Sequence, residues 1–166
     1  MKKLVYLALI MFIVFSYSVC PVQAEEPTRK PLKWVSVDEL IDLAILISLQ
    51  NNLQNSRGFV EGQYVLSPKL TDLKKKYGIG DCFVYHPPQA LFGVWDDRVS
   101  IEPEQKETWL ALGISCLNVE FPKIEFRGGE LGIRKGEAYT QEGTEVRVEG
   151  KIYYFTNGRW KLVEKK

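Results

Sequence analysis

Asn157-Gly158, set between two runs of alternating apolar residues, constrains this chain more than any other feature. Both residues tolerate positive φ, so the pair predicts a two-residue type I′ hairpin. That loop length fixes the register: Phe155 opposes Trp160 and Tyr153 opposes Leu162. Reading Glu149-Gly150 as a second two-residue turn sets Val146 opposite Tyr153 and Val148 opposite Lys151. Val146, Tyr153, Phe155, Trp160 and Leu162 then share a buried face, while Arg147, Tyr154 and Lys161 point outward. A one-residue slip would turn every side chain over, and one register satisfies all three strands. The C-terminus is therefore predicted as a three-stranded antiparallel meander.

The helix signals lie nearer the N-terminus. Ser36 with Glu39 fits a capping box, and Val35 with Leu40 fits the hydrophobic staple beside it. From Leu40 to Leu49 the predicted helix is apolar nearly all round, interrupted by Asp42 and Ser48. Such a helix must be wrapped on most sides, by its own domain or by a partner. It is too short and too charged to span a bilayer. A second, shorter helix has Ser67 as cap, Pro68 at its first position, Leu70 and Leu73 as its inward stripe and Gly78 as terminator. Lys74 to Lys76 fall in its last turn, where the helix dipole favours positive charge, so the run reads as structural.

Beyond Gly80 the pattern is mostly β. Cys82 to Tyr85 is a strand candidate, and Leu91 to Trp95 and Arg98 to Glu102 flank Asp96-Asp97 as a hairpin. Glu104 to Leu112 fits a helical turn or two, although period counting does not settle it. Leu117, Val119 and Phe121 alternate, as do Ile124 and Phe126 ahead of the Gly128-Gly129 turn. The expected fold class is α+β: one long apolar helix and one short helix packed on a mainly antiparallel sheet ending in the meander.

The first residues carry an export signature. Met1-Lys2-Lys3 is followed by an uncharged apolar run from Leu4 to Val19, a breaker at Pro21 and the small-x-small triplet Val22-Gln23-Ala24. This order predicts a secretory signal over 1–24, a tether over 25–33 and a single domain over 34–166. The alternatives are an uncleaved membrane anchor, for which the run is slightly short of about 20 residues, and lipidation at Cys20, where Val19 stands in place of a small residue. Cleavage leaves 142 of the 166 residues. It also removes Lys2 and Lys3 but no acidic residue, so a formal charge of +1 becomes −1. With no dominant basic block, that balance speaks against a nucleic-acid partner. Cys82 and Cys116 remain as an even pair, and in a periplasmic or extracellular, oxidising location they are expected to form a disulfide.

No catalytic, cofactor-binding or metal-ligating set emerges, so the chain is read as non-enzymatic. His86 is the single histidine and lies four residues after Cys82, but Pro87-Pro88 opposes a helix that would bring the two together. Asp96 and Asp97 are adjacent, and neighbours on a strand point to opposite faces, unlike a pair of glycosidase carboxylates. The glycines from Gly128 to Gly136 lack the Gly-Lys-Ser/Thr ending of a phosphate loop.

Gly150-Lys151-Ile152-Tyr153-Tyr154-Phe155 followed by Asn157-Gly158-Arg159-Trp160 resembles one repeat of the choline-binding and glucan-binding cell-wall modules, in which aromatics of neighbouring hairpins build the ligand pocket. Those families use tandem copies, and one copy is present here. An apolar N-terminal helix, Gly62-Gln63-Tyr64, the stretch from Ser67 to Leu73 and a sheet with two cysteines together resemble the layout of a type IV pilin head. Pilins, however, retain their N-terminal apolar helix, whereas here residues 1–24 are expected to be cut away. Two functional expectations follow. The first is an exported protein that binds another envelope protein or associates with itself, motivated by the apolar helix. The second is a glycan-binding module using outward aromatics of the C-terminal hairpin, with Tyr154 as the contact.

Overall fold

A computed structural model of the chain describes residues 28–55, 67–86, 98–102, 105–134 and 137–163. The signal segment, the Gly62-Gln63-Tyr64 loop, Leu91 to Trp95 and the Asp96-Asp97 turn lie outside the described residues. In chain order the elements are β1 (Lys30–Pro31), α1 (Val37–Asn55), α2 (Pro68–Tyr77), β2 (Cys82–His86), β3 (Arg98–Ile101) and β4 (Leu110–Cys116). Then follow β5 (Val119–Glu120), β6 (Ile124–Phe126), β7 (Gly129–Arg134), β8 (Glu137–Thr140), β9 (Glu145–Val148), β10 (Lys151–Thr156) and β11 (Arg159–Leu162).

These strands build an antiparallel six-stranded sheet in the order β11-β10-β9-β6-β4-β2, a three-stranded sheet β3-β7-β8 and a parallel β1-β5 pair. The class is α+β, and the meander forms in the expected register. Phe155 pairs with Trp160, Tyr153 with both Leu162 and Val146, and Val148 with Lys151. Asn157 and Gly158 take φ of 53° and 71°, and Glu149 and Gly150 take 47° and 83°. The Glu142 carboxylate grips the first of these turns, accepting from the backbone N–H groups of Asn157 and Gly158 at 3.0 and 3.1 Å. Leu162 departs from expectation. It is exposed, because β11 is the outermost strand on that side and nothing described packs over its end.

The helix α1 contacts both sheets, through β7 and β8 on one side and β2, β4 and β11 on the other, and also α2. Residues 40–50 are consequently buried, except for half-buried Asp42, whose carboxylate meets Lys69 of α2 at 2.7 Å. The chain's own sheets thus supply the wrapping that the apolar pattern demands. Each fully buried Leu or Ile here contributes roughly 1.5–3 kcal/mol of burial. Asp38, in the first turn, accepts the backbone N–H of Trp160 at 2.9 Å and ties the helix start to the last strand. No helix among the described residues is long and apolar enough to cross a membrane.

At the α1 N-terminus half of the capping box is made: Ser36 Oγ accepts from the Glu39 N–H at 3.2 Å. The Glu39 carboxylate turns to α2 instead, to Lys76 and the Tyr77 hydroxyl. These bonds hold its carboxyl below its ordinary range, the Lys76 ammonium contributing most. Val35 is exposed, so it makes no staple with buried Leu40. The second helix keeps every expected feature. Ser67 Oγ accepts from Leu70 N–H, Pro68 opens the helix, Leu70 and Leu73 are buried, and Gly78 ends it in the left-handed conformation.

Glu104 to Leu112 is corrected. Gln105 to Glu107 form a turn, and a strand begins at Leu110, because Leu110 and Leu112 pair with Phe126 and Ile124. Leu117 is corrected too. It sits exposed in the turn between β4 and β5, its N–H bonded to the Asp81 carbonyl. The expected tether is fixed at its end, where Lys30-Pro31 pair with Val119-Glu120 and Leu32 is buried.

Candidate functional site

The outward face of β4 is a row of small residues. Leu112, Ile114 and Cys116 point into the core, so Ala111, Gly113 and Ser115 point out, and they leave a low floor. Alongside runs β2, whose pairing slips between Val84 and His86: Val84 opposes Ile114 and His86 opposes Gly113. Tyr85 is the extra residue of this bulge, and its ring swings over Gly113. Bulges re-aim side chains in this way. A Cβ on residue 113 would fall 2.7 Å from Tyr85 Cε2, so glycine is what lets the ring lie there. The ring remains 61% exposed.

The opposite wall is the β1–β5 pair, anchored by buried Leu32 and Val119. Leu32 N–H donates to the Glu120 carbonyl at 2.9 Å. Asn118 pins the preceding turn to the end of α2, its side chain accepting from Gly80 N–H at 2.7 Å and donating to the Gly78 carbonyl at 2.5 Å. Arg29 reaches across to the floor and donates to Ser115 Oγ at 2.7 Å. Between floor and wall lies a cleft with two lobes of about 600 and 670 Å³, which share Tyr85, Ile114, Glu120 and Phe121. The first lobe is also lined by Pro31, Ala111, Pro122, Lys123 and Glu149. The second is bounded by Thr28, Arg29 and Ser115.

Next to the first lobe an ionic layer covers the outward face of β6 and β9. Arg147 meets Glu125 at 2.5 Å and Lys123 meets the same carboxylate at 2.9 Å. The Arg147 bond holds the Glu125 carboxyl below its ordinary range, against an opposing effect of burial and with help from Lys123. The Arg147 guanidinium lies 4.6 Å from the Trp109 ring centre, with Arg127 at 5.7 Å. This layer ties down Lys123, which lines the first lobe. The cleft offers acceptor carboxylates, donor cations, a hydroxyl and aromatic surface, the groups that hydrogen bonding and stacking with a ligand require.

Cys82 and Cys116 are disulfide-bonded and directly opposite each other across β2 and β4, beneath the cleft. Tyr154 points outward from β10, opposite Glu145 and Lys161, with β9 and β6 between it and the cleft floor, and does not line the cleft. The backbone of His86 closes β2 against Gly113. Sequence reasoning missed Tyr85, Gly113, Glu120 and Phe121 as site residues. The alternation of Ala111, Gly113 and Ser115 was the available signal, and a helical reading of 104–112 obscured it. Phe83 of β2 and Leu117 of the turn after β4 are 62% and 55% exposed.

No family model matches the chain, and neither a curated protein nor a solved structure does.

Proposed function

We propose that the chain is an exported glycan-binding module whose ligand site is the cleft over β4. The observation that carries this reading is Tyr85, an exposed aromatic platform braced on Gly113 between carboxylates and cations. Sugar hydroxyls both donate and accept, which matches Glu120 and Glu149 on one hand and Arg29 and Lys123 on the other. The apolar face of a pyranose suits an aromatic ring. An extended peptide fits less well on the floor. Its affinity comes from main-chain ladder bonds, yet the floor strand β4 already has β2 and β6 as partners. Export rests on the order of features in residues 1–24 and agrees with the disulfide.

The test is titration of purified mature protein with soluble β-linked oligosaccharides, together with pull-down on cell-wall polysaccharide. The parent is expected to bind and Tyr85→Ala to lose most of that binding. A Tyr85→Ala protein that binds as well as the parent sinks the assignment of the cleft. Tyr154→Ala run in parallel reports whether the outward face of the hairpin contributes.

Binding of another envelope protein, or of a second copy, is the second reading. The apolar helix no longer motivates it, since the two sheets and α2 wrap that helix. What favours it is the exposed pair Phe83 and Leu117. Co-purification from the envelope under mild crosslinking tests it, with a Phe83→Ser, Leu117→Ser double variant expected to lose the captured protein. A parent that stays monomeric at high concentration and captures nothing removes this reading.

A further inference from the structure

Asn157-Gly158, the turn that sets the meander register, is also the one Asn-Gly step in the chain. Asparagine followed by glycine carries a chemistry of its own. With no side chain on Gly158 to hinder it, the Gly158 nitrogen can attack Asn157 Cγ. The new N–Cγ bond closes a succinimide, the Cγ–Nδ2 bond breaks, and ammonia leaves with the proton that Gly158 gives up. Solvent water then opens the imide at either carbonyl, leaving aspartate or isoaspartate. Asn157 and Gly158 are both exposed, so water reaches the site.

Glu142 opposes the first step. Its carboxylate accepts from Asn157 N–H at 3.0 Å and from Gly158 N–H at 3.1 Å. Ring closure needs rotation about the Asn157 Cα–C bond, and that rotation carries the Gly158 N–H off the carboxylate and strains the Thr156–Arg159 pair that closes the turn. It also needs the Gly158 nitrogen to lose its proton, and negative charge there is disfavoured beside a carboxylate. Glu142 cannot follow the turn as it rotates, because its own loop is fastened. Thr144 donates its N–H and Oγ to the Gln141 carbonyl at 3.3 and 2.8 Å, and Gly143 N–H donates to the Phe155 carbonyl at 3.0 Å.

We infer that Asn157 is a latent site of spontaneous deamidation and that Glu142 is the residue that holds it closed. The inference does not depend on what the cleft binds. Isoaspartate adds a methylene to the turn backbone, so the two-residue loop and the register it sets are lost. Trp160, buried and packed edge-on against Phe155 at 5.0 Å between ring centres, is the core residue closest in sequence to that change.

The test is prolonged incubation of the folded parent, Glu142→Gln and Glu142→Ala at neutral pH, with conversion of Asn157 followed by peptide mapping and mass spectrometry. The same three chains are incubated in urea. Folded Glu142→Ala is expected to convert about 5-fold or more faster than the parent, the effect of one hydrogen bond that no longer has to be given up. Glu142→Gln, close in shape and keeping one acceptor oxygen, is expected to fall between them and covers the case in which Glu142→Ala loosens the fold. In urea all three should convert at one rate. Equal rates among the folded proteins would overturn the role of Glu142, and slower conversion in the variants would show its carboxylate acting as a base instead. A difference that persists in urea would also overturn the clamp, and an Asn157 that stays intact in urea would remove the site itself.

Discussion

Gly113→Ala is the smallest change that reaches the platform. The added methyl would stand 2.7 Å from Tyr85 Cε2 and 3.0 Å from Cδ2 and Cζ, where ordinary contact begins near 3.4 Å. The ring must therefore retreat by about 0.7 Å or swing away. Because it is 61% exposed, it can move into solvent, and the cost to folding stays near about 1 kcal/mol, the low end for added bulk. A displaced aromatic face forfeits about 0.5–1.5 kcal/mol of stacking, which is roughly a 2- to 12-fold loss of oligosaccharide affinity. Calorimetric titration and thermal melts of the parent, Gly113→Ala, Tyr85→Ala and the double variant give a closed cycle. If the glycine acts by bracing the ring, Gly113→Ala costs nothing further once Tyr85 is removed. Equal losses in both backgrounds would refute the reasoning, because the methyl would then be acting on the ligand or the strand rather than through Tyr85.

Cutting the disulfide by a Cys82→Ser, Cys116→Ser double substitution releases a loop closed across a separation of 34 residues, worth about 4 kcal/mol in the chain-entropy account. The melting temperature should fall by roughly 10–15 °C, and a fall under about 3 °C would show that the unfolded chain is already constrained. Glu125, whose carboxyl is held low first by Arg147, stabilises the fold above the ordinary carboxylate value. That contribution is lost as pH drops below about 4.5 through the lower folded value. Arg147→Ala should then cost about 1.5 kcal/mol at pH 7 and flatten the acid limb of a denaturant series, and an unchanged limb counts against the ion pair as its cause. Ser67→Ala removes the acceptor for the Leu70 N–H and should lower the urea midpoint by the equivalent of about 1 kcal/mol.

What could be read from the chain was local. The meander register followed from two turn dipeptides and an alternation that could be satisfied in one way, and the α2 caps followed from residues within one turn of each end. Failures occurred where distant groups compete for the same atoms. Glu39 was expected to complete a capping box with Ser36, but Lys76 and Tyr77, nearly forty residues on, take its carboxylate. Val35 was expected to staple onto Leu40, but α1 contacts two sheets and α2, and Val35 is left in solvent. Leu110 and Leu112 carried too short a pattern to separate helix from strand, and pairing with Phe126 and Ile124 decided it.

The cleft was hidden for the same reason, since every one of its walls is a long-range pairing. Ala111, Gly113 and Ser115 become a floor only when Leu112 and Ile114 turn inward against α1. Tyr85 becomes a platform only when β2 slips by one residue against β4. Pro31 and Glu120 become a wall only when a segment expected to be a loose tether pairs in parallel with β5. Local propensity favours none of these, yet each has a distinct anchor in the structure: the disulfide under β2 and β4, the Asn118 clamp on the β4–β5 turn and the Arg29 bond to Ser115. The anchors make the cleft a built feature, because loosening any one of them shifts a wall relative to the floor. Under the proposed reading the ligand lies where these long-range anchors converge, over β4, and the Tyr154→Ala variant tests the outward face of the hairpin separately.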